Sequence, residues 1–205
     1  ITGQVARSSL GSEAFQECDI CSITASCTKK AFMVMSAQDL APTIREAFHT
    51  ALDGRPGPVL IDVPRDVQLE EAEVQFPEIS SATLPPVPQK TLEGVEHAAR
   101  LIGQAERPVI ITGHGVLISQ ASPELLEFAE KTQIPVVSTL LGISSFPTGH
   151  ILDLGMAGMH GMAHASLAID QSDLLISLGM RFDDRVTGSL KDFAPNAKIV
   201  HIDVD

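Results

Sequence analysis

Basic residues are scarce in this chain of 205, with 14 Lys and Arg against 26 Asp and Glu and a formal net charge of -12. A nucleic-acid partner needs a basic face to neutralise phosphates, so this balance argues against one. No apolar run approaches the roughly 20 residues that cross a bilayer, so no membrane-spanning segment is expected. The opening "ITGQVARSS" has no charged leader followed by an apolar block, and no secretory signal is read there. It does not begin with Met either, and the chain is expected to be a piece of a longer one. Only three cysteines occur, Cys18, Cys21 and Cys27. "CDIC" has the spacing of zinc and redox sites, but no second pair or histidine pair completes four ligands. The pair is therefore read as i, i+3 neighbours on one helix face. The odd count and the missing signal fit a reducing cytoplasm or organelle stroma. No internal repeat is present. A G-x-G-x-x-G fingerprint is also lacking, which disfavours a nicotinamide dehydrogenase.

What is present is ordinary globular material: 44% hydrophobic and 20% charged residues, enough to bury a real core. Ser36 to Asp53 reads as a helix, with Ser36 as cap and Leu40, Ile44, Ala47, Phe48 and Ala51 at helical spacing. Gly54 and Pro56 stop it, and Val59 to Val63 follows as a short buried strand. Residues 69–90 turn acidic and then proline-rich, the composition of a linker. A second domain begins near Thr91 with a helix carrying Leu92, Val95, Ala99 and Ile102. The unalternating runs "PVIIT", "PVVS", "DLLISL" and "KIVHI" then alternate with helices, one of them opened by Ser122-Pro123. That pattern predicts an α/β fold, a doubly wound parallel sheet covered on both faces and preceded by a partial α/β domain.

In such sheets ligands bind beyond the carboxyl ends of the strands. Four predicted ends carry glycine or polar residues: Gly113-His114-Gly115, where small residues would let a ligand approach backbone N–H groups; Ser138-Thr139-Leu140; Gly179 with the cluster Arg181, Asp183, Asp184, Arg185; and Asp203, placed to accept from a ribose hydroxyl. A dinucleotide explains all four at once, although any parallel domain carries glycines and charges at strand ends. "GMAGMHG" precedes a helix expected from Gly161 to Asp170, whose N-terminus would suit a diphosphate. His160 has no partner at ligand spacing, so no metal is assigned and a packing or hydrogen-bonding role is expected.

The stretches "ITGQV", "GSEAFQECDI", "TKK", "IREAFHTALDGRPGPVLIDVPRDVQ", "IPVVSTLLG", "LGMAGMHG", "SDLLISLGMRFDDRVTG" and "AKIVHIDVD" run nearly end to end. Together they resemble the large catalytic subunits of the acetohydroxyacid synthase (acetolactate synthase) family, thiamine-diphosphate enzymes of branched-chain amino-acid synthesis. "AFQE" with "GRPGPVLIDVP" marks the decarboxylating branch of the thiamine enzymes, and "RFDDRVTG" narrows it to the synthases.

The resemblance implies that residues 1–68 are the latter part of a pyrimidine-binding domain and 91–205 most of a central FAD-binding domain. It implies decarboxylation of pyruvate and ligation to a second 2-ketoacid. The acid that activates the thiamine ring and the Mg2+ and diphosphate motif are expected outside this piece, so the isolated piece is expected to be inactive. FAD in this family does no net redox work in the main reaction. The residues matched to flavin contacts are Arg55, His114, Thr139, Leu140, Ala157, Gly158, Met159, His160, Gly179, Met180, Arg181, Phe182, Asp183, Asp203 and Val204. Arg185 matches the arginine that meets the second ketoacid's carboxylate, with Asp184 orienting it. Phe15 and Gln16 match residues beside the thiamine ring and the substrate. Arg65 stands near the channel entrance where the family carries lysine, His114 interrupts a common glycine triplet, and Ala6 replaces a common proline. A homo-oligomer, with a possible small regulatory subunit, and a cytoplasmic or plastid location are implied. Glyoxylate carboligase, a pyruvate oxidase and a non-catalytic FAD-binding module remain as alternatives.

Overall fold

The unbroken Val/Ile/Leu runs are the central strands of two parallel sheets, one in each of the two units into which the chain divides at about residue 84. The computed structural model describes residues 1–73 and 88–204. Most of the stretch read as a linker lies outside the described residues.

The first unit contains β1 (Thr2–Gln4), α1 (Ile20–Thr24), β2 (Ala31–Met33), α2 (Ala37–Leu52), β3 (Leu60–Pro64) and α3 (Arg65–Gln68), with strands in the order β1-β3-β2. Strand β3 is buried along its length because it pairs on both sides. Its Asp62 is fully buried, and accepts from Thr2 Oγ1 at 2.9 Å and Gln4 Nε2 at 3.1 Å, so the carboxylate is hydrogen-bonded, as burial demands. Ser36 caps α2 by accepting from Gln38 N–H at 3.3 Å. Ala37 and Ala47 are the buried residues of α2, with Leu40 and Ile44 packed beside them. Of the expected stripe Ala47 is buried, but its neighbour Phe48 is 68% exposed. The expectation of Cys18 and Cys21 on one helix face is also overturned. Asp19 accepts from Ser22 N–H and caps α1, which leaves Cys18 outside the helix. All three cysteines are free thiols.

A charged clasp ties the first unit's loops together. Arg7 donates from Nε to Asp66 at 2.7 Å, from Nη2 to Glu70 at 2.9 Å and from Nη1 to the Met35 carbonyl at 2.8 Å. Glu70's second oxygen accepts from Ala37 N–H at 2.8 Å, at the start of α2. The Arg7 guanidinium holds the Asp66 carboxyl below its usual range, and the Ala37 N–H, then Arg7, do the same for Glu70. Both folded values are depressed, so the clasp stabilises above the ordinary carboxylate range, near about pH 4, and is lost as pH falls through the folded values. Asp66→Asn is therefore expected to lower the thermal midpoint at neutral pH, with the gap to the parent narrowing as pH falls below the ordinary carboxylate range. Melts across that range check it; a gap that persists in acid means the contact is not ionic.

The second unit contains α4 (Gln89–Gln104), β4 (Pro108–Thr112), α5 (His114–Ile118), α6 (Ser122–Thr132), β5 (Val136–Ser138), β6 (Asp153–Met156), α7 (Ala163–Asp170), β7 (Leu174–Leu178), α8 (Asp184–Thr187) and β8 (Lys198–Ile202). The order β6-β5-β4-β7-β8, all parallel, starts in the middle and winds outward in both directions. This is the doubly wound sheet expected, with β6 as an unforeseen strand. Alternate residues of β4 and β7 feed two cores: Val109, Ile111 and Leu175 on one face, Ile110, Leu174 and Ile176 on the other. Two expectations need correction. Leu92 and Val95 of α4 are 47% and 55% exposed, and only its second half packs, through Ala98, Leu101 and Ile102. Strand β8, which among the described residues pairs only with β7, is not covered on both faces: Ile199 and Ile202, three positions apart and so on opposite faces, are each 52% exposed.

Candidate functional site

The winding direction reverses between β4 and β7, and this is where an open α/β sheet places its ligands. The loops that leave those two strands touch backbone to backbone. Gly113 N–H donates to Leu178 O, and Gly115 N–H to Gly179 O, each at 2.9 Å. A Cβ on Gly113 would stand 2.3 Å from Gly179 O, and one on Gly115 would stand 2.6 Å from Gly179 Cα. The reason given for these glycines from sequence is thus corrected: their small size serves the close packing of two loops of the protein itself, and both N–H groups are bonded within it. His114 stands exposed between them.

Beside β4, Thr139 N–H bonds Thr112 O at 2.8 Å while Leu140 is 69% exposed at the rim. The loop after β6 is a tight turn. Gly161 N–H donates to Gly158 O at 2.9 Å and Met162 N–H to Met156 O at 2.7 Å. Those two bonds hold residues 161 and 162 in the turn, so α7 starts at Ala163 and not at the expected Gly161. Its N-terminus has no side-chain cap, which leaves donors of the kind a diphosphate takes. His160 is exposed, so of the packing or hydrogen-bonding role expected of it the packing part is overturned. Ala157 and Met180 are buried in the core, so either can meet a ligand only through its backbone.

The charged cluster after β7 is organised by Asp183. One of its oxygens caps α8, accepting from Arg185 N–H at 3.1 Å and Val186 N–H at 3.3 Å; the other accepts from Arg181 Nε at 3.1 Å. Phe182 packs edge-on against Phe193 and His201, with ring centroids 6.0 and 5.3 Å away. Arg185 is held differently. Its carbonyl accepts from Met159 N–H at 3.2 Å, and a Cβ on Gly158 (φ 102°) would stand 2.6 Å from that oxygen. Its guanidinium is 71% exposed, 3.8 Å from Asp184 and 3.8 Å from Met159 Sδ. At that exposure the pair with Asp184 is weak, so the planar head is fixed at its root and open at its tip. Arg185, Asp184, Gly158 and Met159 line a cavity of about 390 Å³, within the size range of ligand sites.

At the sheet's other edge Asp203 accepts from Val204 N–H at 2.7 Å, and Val204 is 69% exposed. His201, absent from the sequence expectations, bonds Met180 O through Nε2 at 2.7 Å and lies 3.8 Å from Asp203. It ties the loop after β7 to the end of β8. Its place in the quoted run "KIVHI", two residues before Asp203, was the only signal for it. In the first unit, Arg65 opens α3 and is exposed, Arg55 lies in the turn after α2, and Phe15 and Gln16 occupy an exposed loop.

A doubly wound domain that gathers glycine turns, an uncapped helix N-terminus and arginines at the carboxyl ends of its strands has its candidate ligand site there, as open α/β sheets do. Residues 95–205 match the family model of the thiamine pyrophosphate enzyme central domain, and the chain belongs to that family. It is 50% identical over its whole length to the acetolactate synthase large subunit of Corynebacterium glutamicum. Identities of 49% to acetolactate synthase 2, chloroplastic, of Nicotiana tabacum and 46% to a probable acetolactate synthase large subunit of Methanocaldococcus jannaschii also extend over the whole chain. The chain covers 33%, 31% and 35% of these three, so it spans about a third of the length of the curated relatives it matches. Among the described residues no helix is long and apolar enough to cross a membrane.

Proposed function

We propose that the chain is a segment of an acetolactate synthase large subunit. The whole enzyme would decarboxylate pyruvate and join the product to a second 2-ketoacid, and the second unit would hold FAD along its strand ends. The observation that carries this reading is Arg185, a guanidinium fixed at its backbone and open at its tip, lining a cavity beside the β6 loop. Such a fork offers a carboxylate two parallel donors. The donor set suits a flavin nucleotide: the uncapped N-terminus of α7 and the 69% exposed Arg181 for the diphosphate, Asp203 for a ribose, and the Leu140 and Met159 side chains as apolar rim. Arg55 and His114 belong to the same proposed contact set. Thiamine diphosphate, when bound with Mg2+, supplies the electron sink for decarboxylation; its binding residues are assigned mostly to the rest of the enzyme. What falls to this chain is to select and orient: Arg185 takes the acceptor's carboxylate, Asp184 steers the guanidinium, and Phe15, Gln16 and Arg65 face the substrate. A homo-oligomeric enzyme, possible association with a small regulatory subunit, and a cytoplasmic or plastid location complete the proposal.

Product analysis of the full-length enzyme tests it, with acetolactate from pyruvate expected; flavin reduced by pyruvate would indicate an oxidase instead. For the FAD assignment, Arg181→Ala is expected to weaken flavin binding about tenfold, the scale of one lost hydrogen bond to a charged group. Fluorescence titration decides, and equal affinities of variant and parent would remove Arg181 from the site.

A further inference from the structure

Residues 9–17 of the first unit form a loop wound around one carboxylate. Glu17 accepts from Gly11 N–H with one oxygen and from Ala14 N–H, at 3.0 Å, with the other. Glu17's own N–H closes back on Ala14 O at 2.9 Å, and Ser12 returns to Ser9 O through its hydroxyl at 2.7 Å. The N–H groups of Gly11 and Ala14, with lesser help from Glu13 and Ser12, hold the Glu17 carboxyl below its usual range, so it is ionised at neutral pH and serves as an acceptor. It sits in a concave set of backbone donors, the arrangement that elsewhere captures external anions.

The loop does not stabilise the fold by burial. Phe15 is 91% exposed, and Gln16 is exposed as well. Two of its non-glycine residues, Glu13 (φ 57°) and Gln16 (φ 68°), adopt the left-handed backbone that side chains disfavour. Such a conformation persists only where surrounding contacts over-determine it, and here those contacts converge on Glu17. A strained, internally bonded loop that holds an aromatic ring out in solvent is organised to present that ring.

We propose that Glu17 is a positioning residue, whose carboxylate in the N–H ring of residues 11–14 holds Phe15 and Gln16 at the substrate. This rests on the reading of Phe15 and Gln16 as substrate-facing residues. It adds a specific cause for their placement and a residue to which the sequence assigned no role.

The test uses the full-length enzyme carrying Glu17→Gln, which keeps the size and removes the charge, with Glu17→Asp as a milder variant that keeps the charge and shortens the reach. Carboligation kcat/KM is expected to fall about tenfold in Glu17→Gln, the effect of a lost charge-assisted hydrogen bond, and less in Glu17→Asp. Exchange of the Gly11 and Ala14 amides should speed up while the β3 amides stay protected. Because Glu17 acts through its neighbours, Glu17→Gln should cost little further activity in a background already carrying Phe15→Ala and Gln16→Ala. An equal loss in both backgrounds, or unchanged kinetics with unchanged exchange, overturns the proposal. Failure of the functional reading shows separately, as wild-type enzyme that makes no acetolactate; the exchange measurement still decides whether Glu17 holds the loop.

Discussion

Arg185→Lys in the full-length enzyme is expected to leave pyruvate decarboxylation close to wild type and to cut ligation to the acceptor about tenfold or more. The substitution separates charge from shape. Asp184, 3.8 Å away and 80% exposed, can pair with an ammonium as well as with a guanidinium, and the backbone grip from Met159 N–H does not depend on the side chain. What lysine cannot reproduce is the planar pair of donors. The variant should therefore release more acetaldehyde for each pyruvate consumed, and discriminate less between pyruvate and 2-ketobutyrate as acceptors. Measuring acetaldehyde against acetolactate from the same reaction decides. If both half-reactions and flavin retention decline in parallel, with the product ratio unchanged, Arg185 belongs to the architecture of the loop and the proposed acceptor site is wrong.

The largest expected effect on stability comes from a single methyl group. Gly113→Ala places a Cβ 2.3 Å from Gly179 O and 2.4 Å from Met180 Cβ. Neither neighbour can yield easily. Gly179 is bonded to Gly115 N–H through that same oxygen and to Ile202 O through its own N–H, and Met180 is 4% exposed in the core. Overpacking without room to relax costs about 3 kcal/mol. Gly113 itself has an extended backbone that alanine tolerates, so the loss is steric and not conformational. Urea unfolding of this chain measures it; a change within about 0.5 kcal/mol, the range of neutral surface substitutions, would mean the two loops are not held together in solution. Gly94 serves as a control, since nothing lies within 4 Å of an added Cβ there.

The sheet was legible where chemistry is uniform along the chain. The runs "PVIIT" and "DLLISL" are buried on both faces and carry no alternation, and both became strands where expected. Strands β1, β2 and β6 escaped notice because each is only three or four residues long and none carries the β-branched pair that reveals the equally short β5; β6 also carries Asp153 and a glycine. The exposure of Leu92 and Val95 could not be read from spacing, because a helical stripe states which residues share a face and not how far along the helix a partner extends. At the site, motif resemblance named the residues but not their bonds. Asp183 divides its two oxygens between a helix cap and Arg181, and the glycines after β4 are fitted to Gly179, contacts between segments more than 60 positions apart in the second case. Glu17 was missed for the opposite reason. Its partners lie three and six residues away, a turn contact that leaves no periodic trace.

The backbone contact between Gly113, Gly115 and Gly179 also bears on how a nucleotide would come and go. In many doubly wound domains the ligand slides into a slot between diverging loops and leaves by the same narrow mouth. Here that slot is filled by the protein's own main chain. A flavin nucleotide would instead lie across the rim formed by Leu140, Met159, Arg181 and Val204, all of them at least 63% exposed. On such an open shelf a ligand's residence time in this unit would follow the sum of its surface contacts and shorten as ionic strength screens the arginine.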